Sequence, residues 1–354
     1  MSTIDVHIGL PRCASTTIQR ILRDAPASEW SGGTFVPPFE NPHSGFFNVS
    51  GHVAGFAPSL SADGDGNWDL LSTWLELAEG KNIALSTEVG FYLADDVHRE
   101  RLDRLLELVS DAGYDCHFHM VVREPVDWLL SVYSQEVARN FETRSFLVYA
   151  AQFDARPGRS AGEWRSAVGS DHIHLHRFES VVRDPVAWVY SKLIRCRPDH
   201  YVAEVLGQVQ DNRALTTWEL AACRIWNSVE IVTGRSGLRP ITLGDLLRKF
   251  PRSGTPFDPT ELDAAMVVRV MGGDLAVLNA QLRGNAPLAL GSARISERIA
   301  GLADFNRVEA ILALGSESTE PPFSPSEEQL AILSLAVGML GPPASMNGLA
   351  DAGR

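Results

Sequence analysis

Two stretches of this 354-residue chain combine a permanent cation with the kind of backbone that holds an anion. The first is Gly9-Leu10-Pro11-Arg12-Cys13-Ala14-Ser15-Thr16-Thr17-Ile18-Gln19, which follows the alternating apolar residues Ile4, Val6 and Ile8. Such alternation reads as a strand, and Gly-x-Pro ends it in a tight loop before a helix expected from about Thr16 to Asp24. A loop that opens a helix leaves several N–H groups free at the positive end of the helix dipole, where a phosphate or sulfate is stabilised. Small residues allow close backbone approach, three hydroxyls in a row add donors, and Arg12 adds charge. In the second stretch, a strand ending His119-Met120-Val121-Val122 runs directly into Arg123-Glu124-Pro125 and a helix expected to reach Asn140.

The elements that must position these residues follow a β-α-β rhythm. Strands are expected at Ile83 to Ser86, Cys116 to Val122 and His172 to Phe178. Helices are expected at Asp95 to Ala112, Pro125 to Asn140, from near Pro185 and from near Leu215. This alternation predicts an α/β fold with a P-loop-like parallel sheet flanked by helices. Beyond residue 255 the pattern is mainly helical, with one helix from Pro259 to about Leu282, and the start of the apolar run Leu330 to Leu340 reads as a helix cap, with Ser324, Pro325 in the first turn and Glu327 three residues after the serine. The expected organisation is an α/β core over 1–254, with an irregular lid near 31–67, and a helical extension over 255–354 packed on it. The tail from Gly341 is expected to fray.

Composition narrows the function. The 31 basic and 44 acidic side chains give a formal charge of −13, which disfavours nucleic acid and anionic membrane as partners, so an anionic ligand needs a local cluster of cations. Only Lys81, Lys192 and Lys249 are lysines, so arginine carries nearly all the positive charge. Cys13, Cys116, Cys196 and Cys223 are scattered without a C-x-x-C pair, which argues against a zinc site or disulfide framework and fits a reducing cytoplasm. No basic-then-apolar leader opens the sequence, and the Leu330 to Leu340 run is too short to cross a bilayer.

The first stretch resembles the phosphosulfate loop of sulfotransferases that use 3′-phosphoadenosine 5′-phosphosulfate (PAPS), particularly bacterial and carbohydrate-type members, whose loop reads roughly G-x-P-K-T-G-T-T-x-x-Q. Gly9, Pro11, Thr16 and Gln19 match in register; Ser15 stands for threonine, Ala14 for glycine and Arg12 for lysine. Arginine keeps the charge in a planar donor fork suited to phosphate or sulfate oxygens, although it is not neutral at a bidentate site. The second stretch resembles the family's 3′-phosphate motif, an Arg at a strand end and a Ser eight positions on, here Arg123 and Ser131. The likeness covers roughly residues 4 to 284 with gaps, including a weak match at Asn212-Arg213-Ala214-Leu215.

The resemblance implies that Arg12 and the Cys13, Ala14, Ser15, Thr16 and Thr17 segment bind the 5′-phosphosulfate, with Arg12 stabilising charge on the departing oxygen. Arg123 and Ser131 would hold the 3′-phosphate. The reaction needs no metal and takes a hydroxyl or amine of a small-molecule or carbohydrate acceptor. Glu88, at the end of a predicted strand, is the first candidate for the base; its plain alternative is a surface or capping carboxylate. His43 and His52, in the irregular stretch, are rivals. Trp30, Phe35, Phe39, Phe46 and Phe47 there stack on an acceptor or pack the lid. Val182-Arg183-Asp184-Pro185, with Ser191 eight residues after Arg183, repeats the Arg motif past its strand and is assigned to structure. Histidines 117, 119, 172, 174 and 176 alternate within strands and read as structural rather than as a metal cluster. A P-loop kinase is disfavoured because no lysine precedes Lys81. A non-catalytic nucleotide binder of the same fold is the other alternative.

Overall fold

The structure, a computed structural model, describes residues 2–24, 33–37, 66–88, 90–196, 214–232, 242–250, 254–255, 257–282, 287–288 and 326–340. His43, His52, Asn212, Arg213, Ser324 and the aromatic residues at 30, 39, 46 and 47 lie outside them.

Five strands, β1 (Ser2–His7), β2 (Thr34–Phe35), β3 (Asn82–Ser86), β4 (Tyr114–Val122) and β5 (Ile173–Arg177), form one sheet in the order β2-β3-β1-β4-β5. Every pairing is parallel. The fold is therefore the expected α/β class, a parallel sheet flanked by helices with a mainly helical C-terminal part. The chain leaves β1 toward β3 and leaves β4 toward β5, so the strand order reverses between β1 and β4. In open parallel sheets, ligands bind beyond the carboxyl ends of strands at such a reversal.

Period-two alternation gives the sheet two unlike faces. Ile4, Val6, Ile8, Leu85, Cys116 and Phe118 form one buried apolar face. Helix α3 (Arg99–Asp111) turns Leu102, Leu105 and Val109 inward, and Leu105 and Val109 line this face. Trp164, fully buried on α6 (Pro157–Val168), packs its ring 4.6 Å from that of Phe118 and donates its indole N–H to the Phe91 carbonyl at 2.9 Å. The opposite face carries Asp5, His7, His119 and Ser86, all buried.

The chain resolves into two compact units. One draws on Met1–Trp128, Phe153–Asp211 and Val267–Ala300 and contains the sheet; the other draws on Leu129–Gln152, Asn212–Met266 and Gly301–Arg354. The sheet unit also holds α1 (Ser15–Asp24), α2 (Gly66–Leu77), α7 (Phe178–Arg183) and α8 (Pro185–Val189). The second unit is helical, with α5 (Phe146–Gln152), α9 (Thr217–Val232), α10 (Leu243–Leu247) and α12 (Glu327–Leu340). Among the described residues, α4 (Pro125–Arg139) and α11 (Glu261–Gln281) contribute residues to both units.

Several boundaries differ from expectation for local reasons. Helix α3 starts at Arg99 rather than Asp95, because the Asp95 carboxylate accepts the His98 backbone N–H at 2.9 Å and closes a turn first. Helix α12 begins on a reciprocal cap between Ser326 and Gln329: the Gln329 N–H donates to Ser326 Oγ at 3.3 Å and the Ser326 N–H to Gln329 Oε1 at 2.9 Å. Ser326 thus takes the capping place expected of Ser324. Among the described residues, no helix is long and apolar enough to cross a membrane.

Candidate active site

The β1–β4 ladder continues past the end of β1. Ile8 N–H donates to the His119 carbonyl at 3.0 Å, Leu10 N–H to Val121 at 3.2 Å, and Val121 N–H back to Gly9 at 2.8 Å. The loop after β1 is thereby zipped to the last residues of β4, two positions before Arg123. This pairing needs Gly9 as glycine: its φ is +101°, and a Cβ would lie 2.7 Å from the Glu88 carbonyl oxygen. Glu88, just beyond β3, is brought beside the loop by the same contact.

Beyond Gly9 the loop turns sharply. Arg12 and Ala14 both adopt left-handed backbone, each with φ of 65°, a conformation that costs a non-glycine residue roughly 1–2 kcal/mol. Inside the turn the Cys13 N–H donates to the Leu10 carbonyl at 3.2 Å, and the buried Ser15 hydroxyl donates to the same carbonyl at 3.2 Å. Those two donors are therefore spent on the loop. The Ile18 N–H bonds to the Ala14 carbonyl at 2.9 Å as α1 begins, which leaves the Ser15, Thr16 and Thr17 amides at the open end of the helix. Thr16 is exposed and Thr17 half-buried. Ile18, Ile21 and Leu22 bury the opposite stripe of α1 and anchor it.

A second restraint comes from α4. The Trp128 indole N–H donates to the Pro11 carbonyl at 2.8 Å, and the Trp128 ring meets Phe153 edge-on at 5.6 Å. Arg123, in the turn between β4 and α4, lies with its guanidinium 4.4 Å over the Phe178 ring, a cation–π contact that fixes its direction. Ser131 follows on α4, half-buried.

The buried thiol of Cys13 feels the charge of several of these groups. Burial pushes it up to about 12, while the charges of Arg123 and Arg12 pull it down and those of Glu179 and Glu88 push it up. Arg12, Arg123 and Glu88, three residues singled out by sequence, thus all lie within electrostatic reach of one atom. Arg183, in the repeat of the Arg motif, is instead exposed at the end of α7, and Asp184 caps α8 through the Ala187 N–H at 2.9 Å.

Sequence reasoning did not find the carboxylate pair beside Arg123. Glu124, 5 % exposed, shares a hydrogen bond with Glu179, and Arg177 reaches Glu124 at 3.1 Å and Glu179 at 3.6 Å. Burial, and then the Glu179 hydrogen bond, raise the Glu124 carboxyl to about 7. The signal was present: Arg123-Glu124 and Arg177-Phe178-Glu179 end neighbouring parallel strands and must meet at one edge. Trp128 was legible only as core.

The fold is similar to that of a sulfotransferase from Alicyclobacillus acidocaldarius. The identity is 15 %, the match covers 81 % of this chain and 97 % of the other, and the TM-score is 0.41. No family model matches the chain, and no curated protein matches it.

Proposed function

We propose that this protein is a PAPS-dependent sulfotransferase acting in the cytoplasm on a hydroxyl or amine of a small-molecule or carbohydrate acceptor. The observation that supports the reading is that Arg12 and Arg123, on the loops after β1 and β4 where strand order reverses, both act electrostatically on the Cys13 thiol. Two guanidinium groups so placed suit a nucleotide with phosphate groups at both ends.

In this reading the open amides of Ser15, Thr16 and Thr17 and the α1 dipole hold the 5′-phosphosulfate. Arg12 lies on that loop and offsets the charge that grows on the bridging phosphate oxygen as the sulfur–oxygen bond breaks. Arg123 and Ser131 hold the 3′-phosphate and select against nucleotides without one. Glu88 takes the proton of the acceptor hydroxyl as its oxygen bonds to sulfur. The products are the sulfated acceptor and 3′,5′-adenosine bisphosphate.

The test is a thermal-shift series with the bisphosphate and with ATP plus magnesium, followed by transfer of labelled sulfate from PAPS to an acceptor panel. Stabilisation by the bisphosphate, with label reaching an acceptor, supports the proposal. Stabilisation by ATP and magnesium alone contradicts it in favour of a kinase. Binding of bisphosphate with no transfer to any acceptor leaves a nucleotide-binding protein without turnover. Glu88→Gln is expected to bind bisphosphate normally and to lose turnover.

A further inference from the structure

The polar face of the sheet breaks the usual rule for parallel sheets, whose strands are apolar on both faces. Along β4 and β5, period-two spacing places His117 and His119 beside His174 and His176, with rings stacked at 5.1–5.4 Å. The hydrogen bonds resolve into two parallel strings. Asp5 Oδ1 lies 3.0 Å from His119 Nε2, and His119 Nδ1 lies 3.0 Å from His176 Nε2. Asp115 Oδ2 lies 3.3 Å from His117 Nε2, and His117 Nδ1 lies 3.2 Å from His174 Nε2. With both carboxylates ionised, each inner imidazole donates to its carboxylate and accepts from the outer one. The outer imidazoles, His174 and His176, line an open cleft of about 610 Å³ together with Lys192 and Arg195.

The far wall of this cleft is built at a conformational cost. The chain leaves α8 through a π-helical turn, Tyr190–Ile194, and Arg195 then adopts left-handed backbone with φ of 58°. This arrangement brings the Arg195 guanidinium onto Asp5 at 2.6 and 2.9 Å. π-turns and left-handed non-glycine residues recur where a side chain must be aimed. Asp5 is fully buried and bound by both Arg195 and His119, so this carboxylate, the only one among the described residues that line the cleft, is neutralised. Lys192 stands exposed at the rim, giving the lining a positive balance in a protein whose formal charge is −13.

We propose that this cleft binds a small oxyanion, a sulfate, phosphate or carboxylate, held by Lys192 and by His174 and His176 as these imidazoles take up protons from solvent. Burial, with the charges of neighbouring histidines and Lys192, holds His174 down at about 4 and His176 well below its usual value. An anion in the cleft reverses the Lys192 and imidazole repulsion, so protonation and binding assist one another. Among the described residues, the charged or titratable groups facing the two outer rings or lining the cleft are Asp5 and His7 on β1, Asp115, His117 and His119 on β4, His172 just before β5, and Lys192, Arg195 and Cys196 beyond α8. Asp5 and Asp115 lie at the inner ends of the strings, where they stabilise an added positive charge. The site is separate from the loops after β1 and β4 and does not depend on the function proposed for them.

Imidazole-detected NMR titration with sodium sulfate, potassium phosphate and sodium acetate, at ionic strength held constant with sodium chloride, tests this. Saturable movement of the His174 and His176 resonances is expected, with affinity higher at about pH 5 than at about pH 7.5. Lys192→Ala, an exposed substitution, is expected to weaken binding about tenfold or more, a change of about 1.4 kcal/mol, while leaving affinity for 3′,5′-adenosine bisphosphate unchanged. The tightest of the three anions identifies the oxyanion class. Resonances that do not move saturably, affinity that does not rise on acidification, or a Lys192→Ala protein that binds as tightly as the parent, would overturn the proposal.

Discussion

The indole N–H of Trp128 holds the carbonyl of Pro11 at 2.8 Å, tying the helix after β4 to the loop after β1. The two stretches that carry the cations are thus mechanically linked before any ligand arrives. Trp128→Phe keeps an aromatic ring but removes the donor and part of a buried side chain. It is expected to cost about 2–3 kcal/mol of stability in a denaturant titration, and the lost hydrogen bond about 1 kcal/mol, or about fivefold, in bisphosphate binding by calorimetry.

Gly9 meets Glu88 so closely that no side chain fits. Gly9→Ala places a Cβ 2.7 Å from a backbone oxygen, at a φ of +101° that alanine resists. Chemical denaturation is expected to show a loss of about 2–3 kcal/mol, with the loop displaced and bisphosphate affinity reduced along with it.

Ala14 lies at the other extreme. Its φ of 65° is one that glycine adopts freely. Relief of left-handed strain outweighs the extra unfolded-chain entropy, so Ala14→Gly is expected to raise stability by about 0.5–1 kcal/mol. Unchanged or lower stability would show that the loop gains something from the methyl group.

The sequence made four of the five strands and the parallel sheet legible, because β1, β3, β4 and β5 are short runs separated by helical periods. Strand β2, with only Thr34 and Phe35, is too short for any period to show. Helix α2 was overlooked although Trp68, Leu71, Leu75 and Ala78 mark a helical stripe, all buried. The flanking polar, glycine-rich stretch masked it. Within the site, the cation positions were legible from strand ends, since a parallel sheet brings all its carboxyl ends to one edge. The Trp128–Pro11 bond and the Glu124–Glu179 pair were not, because each joins residues from different strand ends and depends on side-chain direction.

The Glu124–Glu179 pair gives stability a pH dependence. The folded-state pKa of Glu124, about 7, is above its ordinary value of 4.5, so the folded protein binds more protons than the unfolded chain between these limits. Stability contributed by this carboxyl is therefore complete below about 4.5 and is lost as pH rises through about 7. Across that window the lowered His174 and His176 act in the opposite sense, because the unfolded chain binds their protons first, so the Glu124 contribution is read as a difference between proteins. The stability of Glu124→Gln relative to the parent is expected to rise as pH goes from about 4.5 to about 7, and a difference that does not change with pH would place the titration elsewhere.

Calorimetric titration of 3′,5′-adenosine bisphosphate into the parent protein, Arg12→Ala and Arg123→Ala shows whether the two guanidinium groups hold one nucleotide. One site per chain is expected, with each substitution weakening binding about tenfold or more through the loss of a charge-assisted phosphate contact. Parent-like affinity in either variant would mean that these two guanidinium groups do not serve a single nucleotide, and the proposed function would fail.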